Sequence, residues 1–313
     1  MGLFRTVLKS GELSERVLEL TEDLLAENAA NYTVWQYRRE CLRALQSDLH
    51  KELDFMDTFA EENPKNYQIW HHRRSVVEML GNGDRELAFT ADVFAVDSKN
   101  YHAWAHRQWA VSTFQLWEGE LEYMERLLTE DIRNNSAWNQ RWFVIHRGGG
   151  PADTPLAAEV MQQELTFAFG AVDKVTKNES AWNYIRGLAK FHPECIPEVL
   201  RKCQDFDVTA VAGGTAGSAA AGASAGASAT AASSSSRSGD ADKDATKPGG
   251  RRSSKRGNPY AMALLADLQE AQGSVEALMH AETLFMHLQG VDEIRVKYWS
   301  RRVEAVRLKL AAL

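Results

Sequence analysis

Five segments share one pattern: NYTVWQYRR (31–39), NYQIWHHRR (66–74), NYHAWAHRQ (100–108), NNSAWNQRW (134–142) and NESAWNYIR (178–186). Their tryptophans follow one another at intervals of 35, 34, 34 and 44 residues. An asparagine lies four residues before each tryptophan, and an arginine lies three residues after it in the first four segments. A period of about 34 residues is typical of helical hairpins that stack into a solenoid.

The residues around each tryptophan predict two helices per repeat. Val17, Leu20 and Leu24 recur at helical spacing behind Ser14, which we expect to be the N-cap of the first helix. In the second helix, the asparagine is expected to accept hydrogen bonds from free backbone N–H groups, and the tryptophan one turn later to pack inward. No segment alternates polar and apolar residues for long, so the sequence predicts an all-α fold with almost no sheet.

The chain is predicted to have three parts. Residues 1–211 hold the repeats, and residues 258–313 read as one or two further helices and a terminal amphipathic helix that cap the same domain. Between them, residues 212–257 hold nine of the 21 glycines and no aromatic or large aliphatic side chain. Such a segment cannot bury enough apolar area to offset its ordering entropy, so we expect a disordered insertion.

Composition excludes several classes of protein. The chain is 44% hydrophobic and 25% charged, which is ordinary for a globular protein, and no apolar run is long enough to cross a membrane. The insertion holds seven basic and three acidic side chains, a charge of +4, so the remainder carries −11 against a total of −7. This acidic remainder argues against nucleic acid as a partner. Three cysteines without a C-x-x-C pair, behind a start that lacks a secretory signal, indicate a reducing compartment, the cytoplasm.

The repeats also carry histidines and arginines that could bind a metal or serve a structural role. His102 and His106 have the four-residue spacing of paired metal ligands, but no glutamate follows His102 as in the H-E-x-x-H motif. We therefore expect these histidines to pack or to contact a subunit, and we predict no metal in this chain. The arginines after the tryptophans are expected to pair with acidic side chains or carbonyls of adjacent repeats.

The longest motifs resemble a known family. KNYHAWAHRQW (99–109), RNNSAWNQRWFVI (133–145) and IRVKYWSRR (294–302) resemble the α subunit shared by protein farnesyltransferase and type I protein geranylgeranyltransferase. The likeness covers roughly residues 3–205 and 259–310. It implies a crescent-shaped, right-handed α-α superhelix wrapped around a catalytic β subunit. Members of that family carry an extra N-terminal segment before the first repeat, whereas this sequence begins almost at the first repeat.

The resemblance also implies a reaction. The heterodimer would transfer a farnesyl or geranylgeranyl group from the isoprenyl diphosphate to the cysteine of a C-terminal C-a-a-X motif, in proteins such as small GTPases. Zinc and magnesium are expected in the β subunit, and the α chain is expected to be inactive alone.

The same resemblance assigns site residues. Lys99 would be catalytic and reach the isoprenyl diphosphate, with Tyr101 close by and Asn134 in the same neighbourhood; Tyr67 would border the site for the last residue of the peptide. The chemistry agrees for Lys99, because displacing diphosphate builds charge on the leaving oxygens and a fixed ammonium stabilises that charge. Lys65, one repeat earlier, is expected to be a solvated turn residue.

Two alternatives stay open. The α subunit of Rab geranylgeranyltransferase shares the repeat, although many of its members append leucine-rich repeats that are absent from this sequence. A helical-repeat adaptor that binds peptides and catalyses nothing is a rival from another class. A role for Lys99 in the chemical step would separate the enzyme from the adaptor.

Overall fold

The computed structural model describes residues 2–148, 156–207 and 257–313, and in these ranges all regular structure is helical, without a strand. The predicted insertion, apart from Gly257, lies outside the described residues, as do residues 149–155 of the stretched fourth interval. The α-helices are α1 (Gly2–Ser10), α2 (Glu15–Glu27), α3 (Tyr32–Leu45), α4 (Leu49–Glu62), α5 (Tyr67–Leu80), α6 (Glu86–Val96), α7 (Tyr101–Phe114), α8 (Glu120–Glu130), α9 (Asn135–Arg147), α10 (Ala158–Lys174), α11 (Glu179–Phe191), α12 (Ile196–Cys203), α13 (Pro259–Gln272), α14 (Val275–Val291) and α15 (Val296–Ala311). Short 3₁₀ turns span Pro193–Cys195, Gln204–Phe206 and Glu293–Arg295.

The helices fall into two compact units, Met1–Gln163 and Glu164–Leu313. In the first unit, α2 and α3, α4 and α5, α6 and α7, and α8 and α9 pair as hairpins, and α3, α5, α7 and α9 contact one another in chain order. In the second unit, α11 contacts α13, and α14 packs against both α13 and α15. The predicted all-α arrangement of stacked helical hairpins is confirmed within the described residues.

The repeated asparagines cap the second helices, as predicted. Asn100 accepts hydrogen bonds from the backbone N–H groups of His102 and Ala103, and Asn31, Asn66, Asn134 and Asn178 make equivalent caps. Asn258 does the same at the start of α13, where buried Met262 takes the place of the tryptophan. The chain therefore has a sixth capped repeat that the tryptophan pattern did not reveal.

The prediction for Ser14 was only half right. The residue stands at the N-cap of α2, but its hydroxyl makes no capping bond and donates instead to Oε1 of Glu12 at 2.6 Å. Arg16 donates to both carboxylate oxygens of Glu12 and so holds that side chain in place. The hydroxyl of Ser14 bonds to this carboxylate instead of capping α2.

At three turns, a buried tryptophan and the capping asparagine of the next repeat donate to the same carbonyl oxygen. The indole N–H of Trp104 donates to the carbonyl oxygen of Ser98 at 3.0 Å, and the side-chain amide of Asn134, in the next repeat, donates to the same oxygen at 3.4 Å. The carbonyl oxygens of Pro64 and Thr176 are shared in the same way. Since a carbonyl oxygen has two lone pairs, one turn can satisfy donors from two successive repeats.

A ladder of buried polar and charged side chains also joins successive repeats. Glu86, at the start of α6, accepts two hydrogen bonds from Arg73 in the preceding repeat and one from His106 in its own repeat. The equivalent groups are Arg38, Glu52 and His72, and Arg107, Glu120 and Gln140. All nine side chains are buried. The predicted pairing of these arginines with acidic residues of adjacent repeats is confirmed.

The ladder fixes the protonation states of its members. Burial alone would raise the pKa of the Glu52 carboxyl, but hydrogen bonds from His72 and Arg38 outweigh it and hold that pKa at about 2. Burial lowers the pKa of His72 and of His106, although their glutamate partners oppose the shift. Glu52 is therefore ionised, and the imidazoles of His72 and His106 are neutral near neutral pH.

Candidate functional site: an exposed tyrosine and lysine edge

Large aromatic side chains are exposed at one position of three successive repeats. Tyr32, Tyr67 and Tyr101 are the first residues of α3, α5 and α7, and they are 71%, 69% and 72% exposed. Each directly follows its capping asparagine, so the cap that starts the helix also directs the tyrosine to the edge of the first unit. We call this surface, with Lys65 and Lys99, the tyrosine edge.

His102 joins two of these tyrosines. The centroid of its ring lies 4.3 Å from that of Tyr67 and 5.6 Å from that of Tyr101, and the ring stacks over Trp70 at 6.3 Å. Burial lowers the pKa of His102, which favours the neutral imidazole. The structure therefore brings Tyr67 and Tyr101, two residues assigned from sequence to one site, onto a common aromatic cluster.

Lys99 lies at the corner that precedes α7. Its side chain is 62% exposed, and its Nζ forms an ion pair with Oδ2 of Asp131 at 3.5 Å. Lys65 occupies the same corner one repeat earlier, is 77% exposed, and pairs with Asp97, also at 3.5 Å. The sequence predicts a catalytic Lys99 and a solvated Lys65, whereas in the structure the two lysines have equivalent surroundings.

Asn134 lies beside this edge but is occupied by the fold. It is 1% exposed, its side-chain oxygen caps α9, and its nitrogen donates to the carbonyl of Ser98, next to Lys99. Direct contact with a ligand would require one of these bonds to break. Its role at a diphosphate stays a prediction, and its observed role is to hold the Lys99 corner against the next repeat.

The edge has the chemistry of an anion site that another molecule completes. Two ammonium groups offer charge-assisted hydrogen bonds, and the neighbouring aromatic rings offer apolar surface. All these side chains are well exposed, so water screens an anion bound here unless a second chain covers the edge. The arrangement suits a shared site better than a self-contained one.

The histidines weighed as metal ligands lie in different environments. His106 is buried against Glu86 and Trp70, which confirms the packing role predicted for it, whereas His102 lies on the tyrosine edge. Within the described ranges, no three His, Cys, Asp or Glu side chains are grouped so that they could hold a metal ion. In the same ranges, no helix combines the length and apolar character that a bilayer crossing requires.

Tyr32, Lys65 and His102 lie on this edge, although none of the three was predicted from the sequence as a site residue. The signal for Tyr32 was present, because Asn-Tyr recurs in the first three repeats. Nothing local marks His102, since its position holds threonine in the first repeat and glutamine in the second. Its contacts with Tyr67 emerge only when two repeats stack.

Comparison with known families defines the class of the chain. The protein prenyltransferase alpha subunit repeat matches residues 14–45, 49–80, 84–114, 117–148 and 161–191, together about half of the chain. The chain belongs to this family of prenyltransferase alpha subunits.

Individual relatives agree with this placement. The farnesyltransferase/geranylgeranyltransferase type-1 subunit alpha of Dictyostelium discoideum is 45% identical over 61% of this chain and 60% of its own length. The protein of the same name from Pisum sativum is 50% identical over 61% of this chain and 57% of its own length. The chain thus matches rather less than two thirds of these relatives. A solved Candida albicans protein geranylgeranyltransferase-I complexed with GGPP superposes with a TM-score of 0.74 at 25% identity, over 98% of this chain and 89% of that one.

Proposed function

We propose that this chain is the α subunit of a heterodimeric protein prenyltransferase of the farnesyltransferase and type I geranylgeranyltransferase kind. Its partner is a catalytic β subunit, and its substrates are an isoprenyl diphosphate and proteins that end in a C-a-a-X motif. The observation that carries the proposal is the tyrosine edge, where lysines and tyrosines project from successive repeats of a chain in this family. The names of the relatives favour this assignment over the Rab-type enzyme.

The reaction breaks the bond between the allylic carbon and the diphosphate oxygen and forms a thioether. A lysine ammonium on the edge stabilises the charge that grows on the leaving diphosphate, and this interaction strengthens as the bond breaks. Tyr101 is proposed to lie beside the diphosphate and Tyr67 beside the carboxyl end of the peptide. The β subunit covers the edge, so these contacts operate away from bulk water.

Metal ions belong to the partner in this proposal. Zinc would bind the thiolate of the substrate cysteine in the β subunit, with magnesium at the diphosphate. The cysteines of the present chain are buried, and burial raises the pKa of Cys195 to about 11 and that of Cys203 to about 12. Unreactive free thiols agree with a structural role in a reducing compartment, which supports the proposed cytoplasmic location.

The test is co-expression of the full chain with candidate β subunits, followed by a prenyl-transfer assay on a C-a-a-X peptide. We expect a stable heterodimer to transfer the prenyl group, and the isolated chain to be inactive. Lys99→Ala is expected to slow the single-turnover rate by one to a few orders of magnitude, with a smaller change in farnesyl diphosphate affinity. Lys65→Ala is measured beside it, since its geometry is equivalent, and exposed Lys51 on α4 supplies a control, Lys51→Ala.

The outcomes separate the alternatives. A heterodimer with wild-type rates in both Lys65→Ala and Lys99→Ala would remove the lysines from the chemistry. Binding to peptides without transfer in any pairing would favour the adaptor. Activity only on Rab proteins, in the presence of an escort protein, would favour the Rab-type enzyme.

A further inference from the structure

Two aspartates on the tyrosine edge each divide their carboxylate between two repeats. Oδ1 of Asp97 accepts the backbone N–H of Lys99 at 3.1 Å, while its Oδ2 lies 3.5 Å from Nζ of Lys65, in the preceding repeat. Oδ1 of Asp131 accepts the backbone N–H of Arg133 at 2.9 Å, while its Oδ2 lies 3.5 Å from Nζ of Lys99. One oxygen is fixed by the local turn, and the other is thereby directed at a lysine.

The chain contains its own comparison for the charge of these residues. The equivalent turn position of the first repeat holds Asn28, whose side-chain oxygen accepts the backbone N–H of Ala30 at 3.1 Å. A neutral asparagine therefore suffices to make the turn, and the negative charge of the aspartates must serve something else.

The charge follows the lysines from repeat to repeat. In the first repeat the corner position holds Ala30 instead of a lysine, and the next turn has the neutral Asn63 at the aspartate position. Asp97 stands in the turn after Lys65, and Asp131 stands in the turn after Lys99. In the first unit, an acid occupies this position where the preceding repeat has a lysine at the corner.

Stability does not account for this pairing. The lysine side chains are 77% and 62% exposed, and ion pairs of such exposure contribute little to the free energy of unfolding. A fixed carboxylate does, however, restrict a flexible four-carbon side chain to one direction. At 3.5 Å the contact is an ion pair, so the N–H donors of the ammonium stay available for another anion.

We propose that Asp97 and Asp131 are positioning residues that hold the ammonium groups of Lys65 and Lys99 toward the isoprenyl diphosphate. This inference rests on the proposed function and deepens it. In this proposal the aspartates affect the rate through the lysines that they hold. Replacing the acid by asparagine keeps the turn and releases the lysine, while it also removes a negative charge near the diphosphate.

Two opposite effects are therefore expected from Asp97→Asn or Asp131→Asn in the heterodimer. The single-turnover rate should fall about two- to fivefold for the aspartate whose lysine serves the reaction, in keeping with the size of exposed pairs. The affinity for the isoprenyl diphosphate, and for inorganic pyrophosphate as a probe, should stay equal or become tighter. The melting temperature should not move. Exposed Asp92 on α6 supplies the matched control, Asp92→Asn.

A double-mutant cycle decides the matter. In the double variants that combine Asp97→Asn with Lys65→Ala, or Asp131→Asn with Lys99→Ala, the asparagine should have no further effect on the single-turnover rate. An equal effect with and without the lysine, or wild-type rates in both asparagine variants, would overturn the inference. If the asparagine variants are normal while a Lys→Ala variant is slow, only the positioning role fails. If both Lys→Ala variants are normal, the proposed role of the lysines fails as well.

Discussion

The indole of Trp70 and the side-chain amide of Asn100 donate to one oxygen, the carbonyl of Pro64, at 2.9 and 3.0 Å. The two donors come from successive repeats, so the turn at Pro64 holds the start of α7 in the next repeat. Asn100 also caps α7 with its side-chain oxygen, and thus does two separable jobs.

Substitutions of Asn100 separate these jobs. Asn100→Ala loses both the cap and the bond to Pro64, whereas Asn100→Ser keeps a capping oxygen and loses the bond. We expect the alanine variant to lose about 1–2 kcal/mol of unfolding free energy, and the serine variant to lose roughly half of that. Urea denaturation measures both. Equal losses in the two variants would mean that the cap contributes nothing.

The buried ladder predicts a large effect for one of its glutamates. Glu120→Ala leaves the guanidinium of Arg107 buried without its carboxylate, which is expected to cost about 3–5 kcal/mol. Glu78→Ala removes a glutamate from an exposed pair with Arg74 and should cost less than about 1 kcal/mol. Chemical denaturation measures the unfolding free energy of both variants. Similar losses would contradict a stabilising role for the buried pair.

The neutral histidines of the ladder predict acid sensitivity. Because burial lowers the pKa of His106 in the fold, the unfolded chain takes up its proton first. The contribution to stability is complete above the unfolded value, about 6.5, and declines as the pH falls below it. His106→Gln should reduce the drop in melting temperature between pH 7.5 and pH 5.5, since Gln140 already serves this position against Glu120. An unchanged drop would show that folding does not lower the pKa of His106.

A glycine with little space around it gives a further prediction. A Cβ atom on Gly83 would lie 2.3 Å from a ring carbon of Phe114, at the end of α7. Gly83→Ala is therefore expected to destabilise the protein by about 1–3 kcal/mol. Gly170→Ala, in the open interior of α10, should stabilise it by about 0.5–1 kcal/mol. Thermal melting of the two variants tests the contrast in sign.

The elements with a repeated signature were predictable. The sequence displays the spacing of the capping asparagine and the buried tryptophan five times, and that of the arginine four times. The glutamates of the ladder were not found, because they lie in first helices that carry no marker such as tryptophan. The sixth repeat was missed for a related reason, since Met262 fills the tryptophan position with a different apolar side chain.

The site was predictable as a surface but not in its details. The resemblance brought attention to Lys99, Tyr101 and Tyr67, which do lie on one edge. It could not show that Lys65 has the same surroundings as Lys99, because that equivalence is visible only when successive turns are superposed. Nor could it show that Asn134 is already engaged, since the carbonyl of Ser98 that holds it lies in the preceding repeat.

The buried groups around Glu52, Glu86 and Glu120 each include side chains of two neighbouring repeats, so each of these three glutamates depends on an arginine of the preceding repeat. Recombination between diverged chains could exchange a helical hairpin whose helices still form. At the junction, however, a buried arginine would lose its glutamate partner. The second helix of one repeat and the first helix of the next are therefore expected to be inherited together. Chimaeras cut between an arginine and the glutamate that receives it should fold less readily than those cut inside a hairpin.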